Sequence, residues 1–327
     1  MNIFDALNLI CGLSLFLFGI NFMAENLKRS AGDKTQEFIE RATSSQAKGF
    51  LLGAGVTALV QSSSATTVMV VGLVNSGAMT LSQAISVIMG ANVGTTVTSW
   101  LTGLSGLGGV GAGSVSALVW FKPSSFVPII ALIGVIYYLR GAGERRKTLG
   151  LILLGFSVLM VGMDIMSDAV KPLEDSESFR DILLWFEHPI FGVLAGAVMT
   201  AILQSSSAAV GILQSLSITG ALSYAGAVPI LLGQNIGTCV TALIASVGTN
   251  RNAKRAAFVH FYFNVIGVMI LLSLFYLIDR MVGIPFMSYQ IDMWGIAMVH
   301  TVFNVVAVIT IAPFSRRLER LVCLTIK

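Results

Sequence analysis

The sequence predicts an all-α, polytopic membrane protein. Its expected plan is two inverted-topology repeats, each with a re-entrant helical hairpin and a broken transmembrane helix. Three observations predict it. Of 327 residues, 55% are hydrophobic and 11% charged, against about a quarter charged in an ordinary soluble domain. The pentapeptide QSSSA occurs twice, at 61–65 and again at 204–208. The polar connectors between apolar runs also carry opposite charge.

A chain with mean hydropathy +0.84 and so few charges cannot cover a water-soluble globule. Apolar runs at 6–24, 125–139 with its flanks, 149–166, 256–278 and 293–312 approach or reach the roughly 20 residues that cross a bilayer as helix. They do not alternate polar with apolar, as strands of a membrane barrel do. The first run lacks a basic leader and a small-residue cleavage site, so no cleavable signal peptide is expected. Cys11, Cys239 and Cys323 are too few and too scattered for a metal site or a disulfide framework.

The repeat emerges when residue 61 is laid on 204, an offset of 143 that needs no gap. Between 61–98 and 204–241, 15 of 38 positions are identical, Gly90/Gly233, Asn92/Asn235, Gly94/Gly237 and Thr95/Thr238 among them. The match reaches back through GAGVTALVQSSS (53–64) over GAVMTAILQSSS (196–207) to Gly19 over Gly162. Internal duplication marks many secondary transporters, often with the copies in opposite orientation.

Charge predicts that orientation. Connector 28–48 holds Lys28, Arg29, Lys34, Arg41 and Lys48 against three acids, whereas 168–188 holds Asp168, Glu174, Asp175, Glu177, Asp181 and Glu187 against Lys171 and Arg180. Lys/Arg excess marks the cytoplasmic side, so the first connector is expected inside and the second outside. RGAGERRK (140–147), RNAKR (251–255) and the tail with Arg316, Arg317 and Arg320 are expected inside too. The resulting plan has the N-terminus outside and the C-terminus cytoplasmic in a multi-pass plasma-membrane protein. Residues 1–147 form repeat 1, with a first helix, hairpin 49–76, broken helix 81–103 and span 114–139. Residues 148–313 form repeat 2, with a helix, hairpin 190–219, broken helix 221–247 and spans 256–278 and 291–313; 314–327 is a cytoplasmic tail. Trp100, Trp120, Trp185 and Trp294 fall near span ends, as interfacial aromatics do.

The hairpins follow from length. Arms 49–60 and 65–76 flank the serines; each is about 18 Å as helix, too short for a hydrocarbon core of about 30 Å. Irregular backbone at membrane depth is tolerated only where protein or a water-filled cavity surrounds it. A serine tip followed by a helix start offers hydroxyls, free N–H groups and the positive end of a dipole, which together suit an anion. The segments MGANVGTTVT (89–98) and LGQNIGTCVT (232–241) read as broken helices, whose freed carbonyls, Asn amide and Thr hydroxyl suit Na⁺. The competing reading is that these glycines and serines let helices pack closely.

On Gln61–Ser64, Gln204–Ser207, Gly90–Thr96 and Gly233–Thr238 the chain resembles the type II sodium–phosphate cotransporter family. The A-x-x-H-x-x-x-N pattern at Ala257, His260 and Asn264, and again at Ala297, His300 and Asn304, adds to the likeness, which covers about 6–313. The resemblance implies sodium-driven uptake of inorganic phosphate by alternating access. It implies phosphate held by Ser62, Ser63, Ser64, Ser205, Ser206 and Ser207 with Asn92 and Asn235, and sodium by Gln61, Gln204, Thr95, Thr96, Thr238, Ser64 and Ser207. Two departures stand out. Cys239 replaces the hydroxyl that repeat 1 has at Thr96, and the span after repeat 1 lacks the His/Asn pattern. Many bacterial relatives append a PhoU-like domain, which is not expected in a chain that stops 14 residues after Pro313. The implied partners are inorganic phosphate, Na⁺ as coupling ion and the lipid bilayer. No cofactor and no nucleic-acid partner are expected, and homodimerisation is left open.

No Lys or Arg occurs within 49–121 or 181–250. An anion bound there must be balanced by dipoles, hydroxyls and co-bound cations, which makes anion and Na⁺ binding mutually favourable. A symporter of another small anion and an anion channel are the alternatives. An enzyme is not expected, because no HExxH, no CxxC and no sensibly placed Ser/His/Asp set occurs. Asp164, which pairs by the offset with Asn21, reads as a solvated or packing residue near the outer interface. His260/Asn264 and His300/Asn304, each at i, i+4, read as interhelical hydrogen-bonding pairs.

Overall fold

The computed structural model describes residues 3–31, 45–104, 123–141, 143–173 and 177–327. The described residues form thirteen α-helices and no strand, apart from an isolated bridge between Ser223 and Gln290. Helix α1 is Ile3–Ala31. Next come α2 (Gln46–Val60), α3 (Ser63–Asn75), α4 (Leu81–Gly103) and α5 (Pro123–Arg140). The second half gives α6 (Glu144–Val170), α7 (Glu177–Glu187), α8 (Pro189–Leu203), α9 (Ser206–Ser217) and α10 (Tyr224–Ala245). Then follow α11 (Arg251–Val282), α12 (Met293–Ile311) and α13 (Ser315–Thr325). Six stretches are long and apolar enough to cross a membrane: Ile3–Met23, Leu81–Gly103, Glu144–Val170, Tyr224–Ala245, Arg251–Val282 and Met293–Thr325. The expected span 114–139 is helical from Pro123; its first part, like Trp120 and most of connector 28–48, lies outside the described residues.

The caps explain most helix starts. Ser45, Asn250 and Asp292 each accept the N–H three residues on. Thr80 and Gln83 form a reciprocal capping box at α4. Each such cap is worth about 1 kcal/mol.

Packing repeats with the sequence offset. Helix α2 lies against α4 as α8 lies against α10. A Cβ on Gly53 would overlap the Val87 carbonyl, and one on Gly196 the Ile230 carbonyl. Gly90 and Gly233 likewise face the carbonyls of Phe50 and Val193. Each partner in the second half lies at the same offset from its counterpart in the first. In lipid, where tails are as apolar as Leu, such close backbone approach is a main source of helix association.

These glycines also correct an expectation. Helices α4 and α10 are unbroken across GANVGTT and GQNIGTC. The glycines are there for contact rather than for a break. Thr95, Thr96 and Thr238 turn their hydroxyls back onto the carbonyls of Ala91, Val93 and Gln234, so no freed carbonyl stands ready for a cation at this point.

The second arms reach across between halves, with α3 touching α10 and α9 touching α4. At one end of the molecule Gln46 meets Ser315, Asn75 meets Asn250, and Arg255 meets Ile326. Elsewhere Glu187 meets Ser223 and Tyr276, Tyr224 pairs with Tyr289, and Gln214 reaches Met293. Large apolar side chains stay exposed along α11 (Met269, Leu274, Leu277, Met281) and α8 (Ile190, Leu194, Val198, Ile202). A patch of this size fits a lipid environment far better than water.

Candidate functional site

The site starts from two sharp turns. Helix α2 ends at Gln61 with φ 56° and ψ 24°, and α8 ends at Gln204 with φ 50° and ψ 24°. These are the two positive-φ residues other than glycine among the described residues. A non-glycine side chain in the left-handed region costs roughly 1 kcal/mol or more, and both copies keep it. The glutamine N–H groups close the turns onto Thr57 and Thr200 at 2.7 and 2.8 Å. The chain then extends for one residue, Ser62 or Ser205, and the next helix begins.

Ser62 and Ser205 are N-caps, accepting from the N–H of Ala65 at 3.1 Å and of Ala208 at 3.2 Å. The second arms thus begin at Ser63 and Ser206, two residues earlier than the length argument expects. Ser63, Ser64, Ser206 and Ser207 lie in first helical turns, where backbone N–H groups have no partner within the helix. Each start carries roughly half a positive charge.

The two turns share one cavity of about 340 Å³. Gln61, Ser62 and Ser64 line it from one side, and Gln204, Ser205, Ser206 and Ser207 from the other. Leu17 and Asn21 of α1 and Leu203 complete it. Among the described residues no Lys, Arg, Asp or Glu lines the cavity. Ser63 is buried beside it with 2% exposure. The sequence reading missed Asn21 as a lining residue; its offset pairing with Asp164 was the available signal.

Asn92, Asn235, Thr95, Thr96 and Thr238 do not line this cavity. Asn92 and Asn264 are bonded Nδ2 to Oδ1 at 3.2 Å, and the Nε2 of His260 lies 3.2 Å from the Asn92 Oδ1. Asn264 also donates to Cys239 at 3.4 Å. This buried network binds α4, α10 and α11 together. Asn235 turns its amide onto Leu231. Asn92 thus bonds residues of α11 and is not among the residues that line the serine cavity. The second pattern works the same way: the Nδ1 of His300 meets the Ser99 hydroxyl at 2.7 Å. His260, Asn264 and His300 therefore bond across helices, as the sequence suggests, whereas Asn304 turns its amide onto the His300 carbonyl of its own helix and its buried Oδ1 has no partner among the described residues.

The two copies differ in one respect. The Thr98 hydroxyl donates to the Gln61 Oε1 at 2.8 Å, and the Gln61 amide also reaches the Ala58 carbonyl. Gln61 is 6% exposed. At the equivalent positions Gln204 is exposed, and the Thr241 hydroxyl is buried without a partner among the described residues.

A family profile described as Na⁺/Pi-cotransporter matches residues 15–168 and, as a second copy, 158–300. The chain is 30% identical to "Uncharacterized protein YqeW" of Bacillus subtilis over 95% of each chain. It is 26% identical to "Putative inorganic phosphate export protein YjbB" of Escherichia coli K12 over 98% of this chain and 55% of that one, so it spans about half the length of that relative. Over 43% of this chain and 23% of the other, it is 32% identical to "Sodium-dependent phosphate transport protein 2A" of Ovis aries. No solved structure matches the chain. A double profile match, together with six membrane-length helices and two serine turns around one cavity, means that the chain belongs to the Na⁺/Pi-cotransporter family.

Proposed function

We propose that the chain is a secondary active transporter that carries inorganic phosphate with Na⁺ by alternating access, in the uptake direction. One observation carries the reading: two helix starts, α3 and α9, open on a single cavity that no charged side chain lines among the described residues. Two half-charges from helix ends balance roughly one negative charge. A phosphate carrying more than that needs a co-bound cation, and a cation in the same pocket needs the anion. Each then raises the affinity for the other. Hydroxyls of Ser62, Ser64, Ser205 and Ser207 and the amide oxygens of Gln61 and Gln204 are neutral hard ligands, suited to both ions.

The inverted-repeat reading draws support from end contacts. Gln46 and Asn75, at the outer ends of α2 and α3, each contact residues of the chain's C-terminal half, Ser315 and Asn250. Arg255 and Ile326 tie the elements carrying those two partners to each other. The α8–α9 pair has its outer ends near Glu187 and Leu222, by contacts to Tyr276 and Ile291. On this reading both pairs are re-entrant from opposite faces, and the Gln61/Gln204 difference is one half of a cycle. In the other half, Gln204 bonds Thr241 and Gln61 is released.

The name of YjbB speaks of export, so direction is a second reading to be measured. Radiolabelled phosphate flux in proteoliposomes, with a Na⁺ gradient imposed in either direction, tests both. The proposal expects phosphate accumulation that follows the Na⁺ gradient. Equal flux in sodium and choline media would reject coupling, and flux against the inward gradient alone would favour export.

A further inference from the structure

A second polar cleft, about 610 Å³ in volume, lies well away from the serine cavity and shares no lining residue with it. Ser45, Gln46, Ser82, Gln83, Ser86 and Arg316 line it. Two helix starts converge there, those of α2 and α4, beside the turn at 312–314 through which α12 runs on into α13. Ser45 and the Thr80–Gln83 box cap these two starts. The Gln46 amide donates to the Ser315 hydroxyl at 2.9 Å and ties α2 to α13.

Ser86 is the informative member. It lies in mid-helix, is 6% exposed, lines the cleft, and makes no hydrogen bond with any described residue. Arg316 is exposed and makes no ion pair among the described residues. A hydroxyl that opens on the cleft without a protein partner, beside an unpaired guanidinium and two positive helix ends, suits a phosphate group.

An apolar pocket of about 370 Å³ adjoins the cleft, and Gln46, Ser86, Ala312 and Ser315 belong to both. Phe50, Leu51, Met89 and Val308 form its apolar wall. Polar cleft and apolar pocket together have the two-part chemistry of a phospholipid. Helix α13, which starts at the cleft, also carries Arg317 and Arg320, and Arg255 of α11 bonds its far end at the Ile326 carbonyl; such basic residues attract anionic lipid.

The cleft is not a by-product of the repeat. The positions equivalent to Ser82, Gln83 and Ser86 are Ala225, Gly226 and Pro229, none of which offers a side-chain donor.

We propose that this cleft binds the headgroup phosphate of an anionic phospholipid, with an acyl chain in the adjoining pocket. The test uses the full chain reconstituted in phosphatidylcholine vesicles with or without phosphatidylglycerol, with thermal unfolding as the readout. Phosphatidylglycerol raises the unfolding temperature of the wild type, and its apparent affinity falls about tenfold or more in Arg316→Gln and in Ser86→Ala, as expected for lost bonds to a charged group. Ser86 bonds nothing in the protein, so Ser86→Ala keeps its fold in phosphatidylcholine alone. Inorganic phosphate in phosphatidylcholine vesicles gives no stabilisation that depends on Arg316. The proposal is overturned if phosphatidylglycerol has no effect, if both variants retain the full effect, or if inorganic phosphate reproduces it.

Discussion

Thr98 and Thr241 occupy the same place in the two repeats, yet replacing them with valine has opposite consequences. Valine is close in shape to threonine, so the change isolates the hydroxyl. In Thr98→Val the Gln61 Oε1 loses its 2.8 Å donor while staying buried. Stranding a buried acceptor costs about 1–3 kcal/mol. In Thr241→Val the lost hydroxyl is buried and unpartnered, and removing such a group is neutral or stabilising by about 1 kcal/mol or more. The two variants should therefore differ by roughly 1–4 kcal/mol. Thermal unfolding of purified protein, read by intrinsic fluorescence, is the assay. Thr98→Val unfolds at lower temperature than wild type; Thr241→Val unfolds at the same temperature or higher. Under alternating access both lower phosphate turnover, since each shifts a two-state balance whose tenfold step is about 1.4 kcal/mol. Equal destabilisation by both variants would refute the asymmetry from which this follows.

Other expectations are simpler. Gly53→Ala and Gly196→Ala place a Cβ against the carbonyls of Val87 and Ile230; each should cost more than about 4 kcal/mol, seen as loss of monodisperse protein on size exclusion. Ser62→Ala and Ser205→Ala remove N-caps and should cost about 1 kcal/mol each, whereas glycine costs only a few tenths; phosphate affinity should fall in both, measured by equilibrium binding in sodium. Asn92→Ala strands His260 and Asn264 and should destabilise by about 2–4 kcal/mol, while phosphate affinity per folded molecule changes little.

Much of the fold is legible in the amino-acid sequence. The offset of 143 fixes which helices correspond, and α2, α3 and α4 reappear at that offset as α8, α9 and α10 with ends shifted by at most one residue. Arm length alone predicts the break at the serines. The glycines are the harder case. A glycine flanking Asn92 is compatible with a broken helix and with a packed one, and sequence alone does not show that the Phe50 carbonyl sits against Gly90. The same holds for Asn92, whose partners His260 and Asn264 lie 168 and 172 residues away. The asymmetry between Gln61 and Gln204 has no sequence signal, since it depends on how helices are disposed; the cleft at Ser86 has only a partial one, the polar Ser82, Gln83 and Ser86 against Ala225, Gly226 and Pro229 at the same offset, and sequence alone does not bring Arg316 to them.

The central claim is that the two serine turns close on one anion. Cysteines placed by Ser62→Cys and Ser205→Cys, in a chain whose three native cysteines are replaced, test it with a short bifunctional thiol reagent. The account predicts an intramolecular cross-link that phosphate prevents in sodium medium and leaves untouched in choline. A chain that never cross-links, or whose cross-linking ignores phosphate and sodium alike, contradicts it.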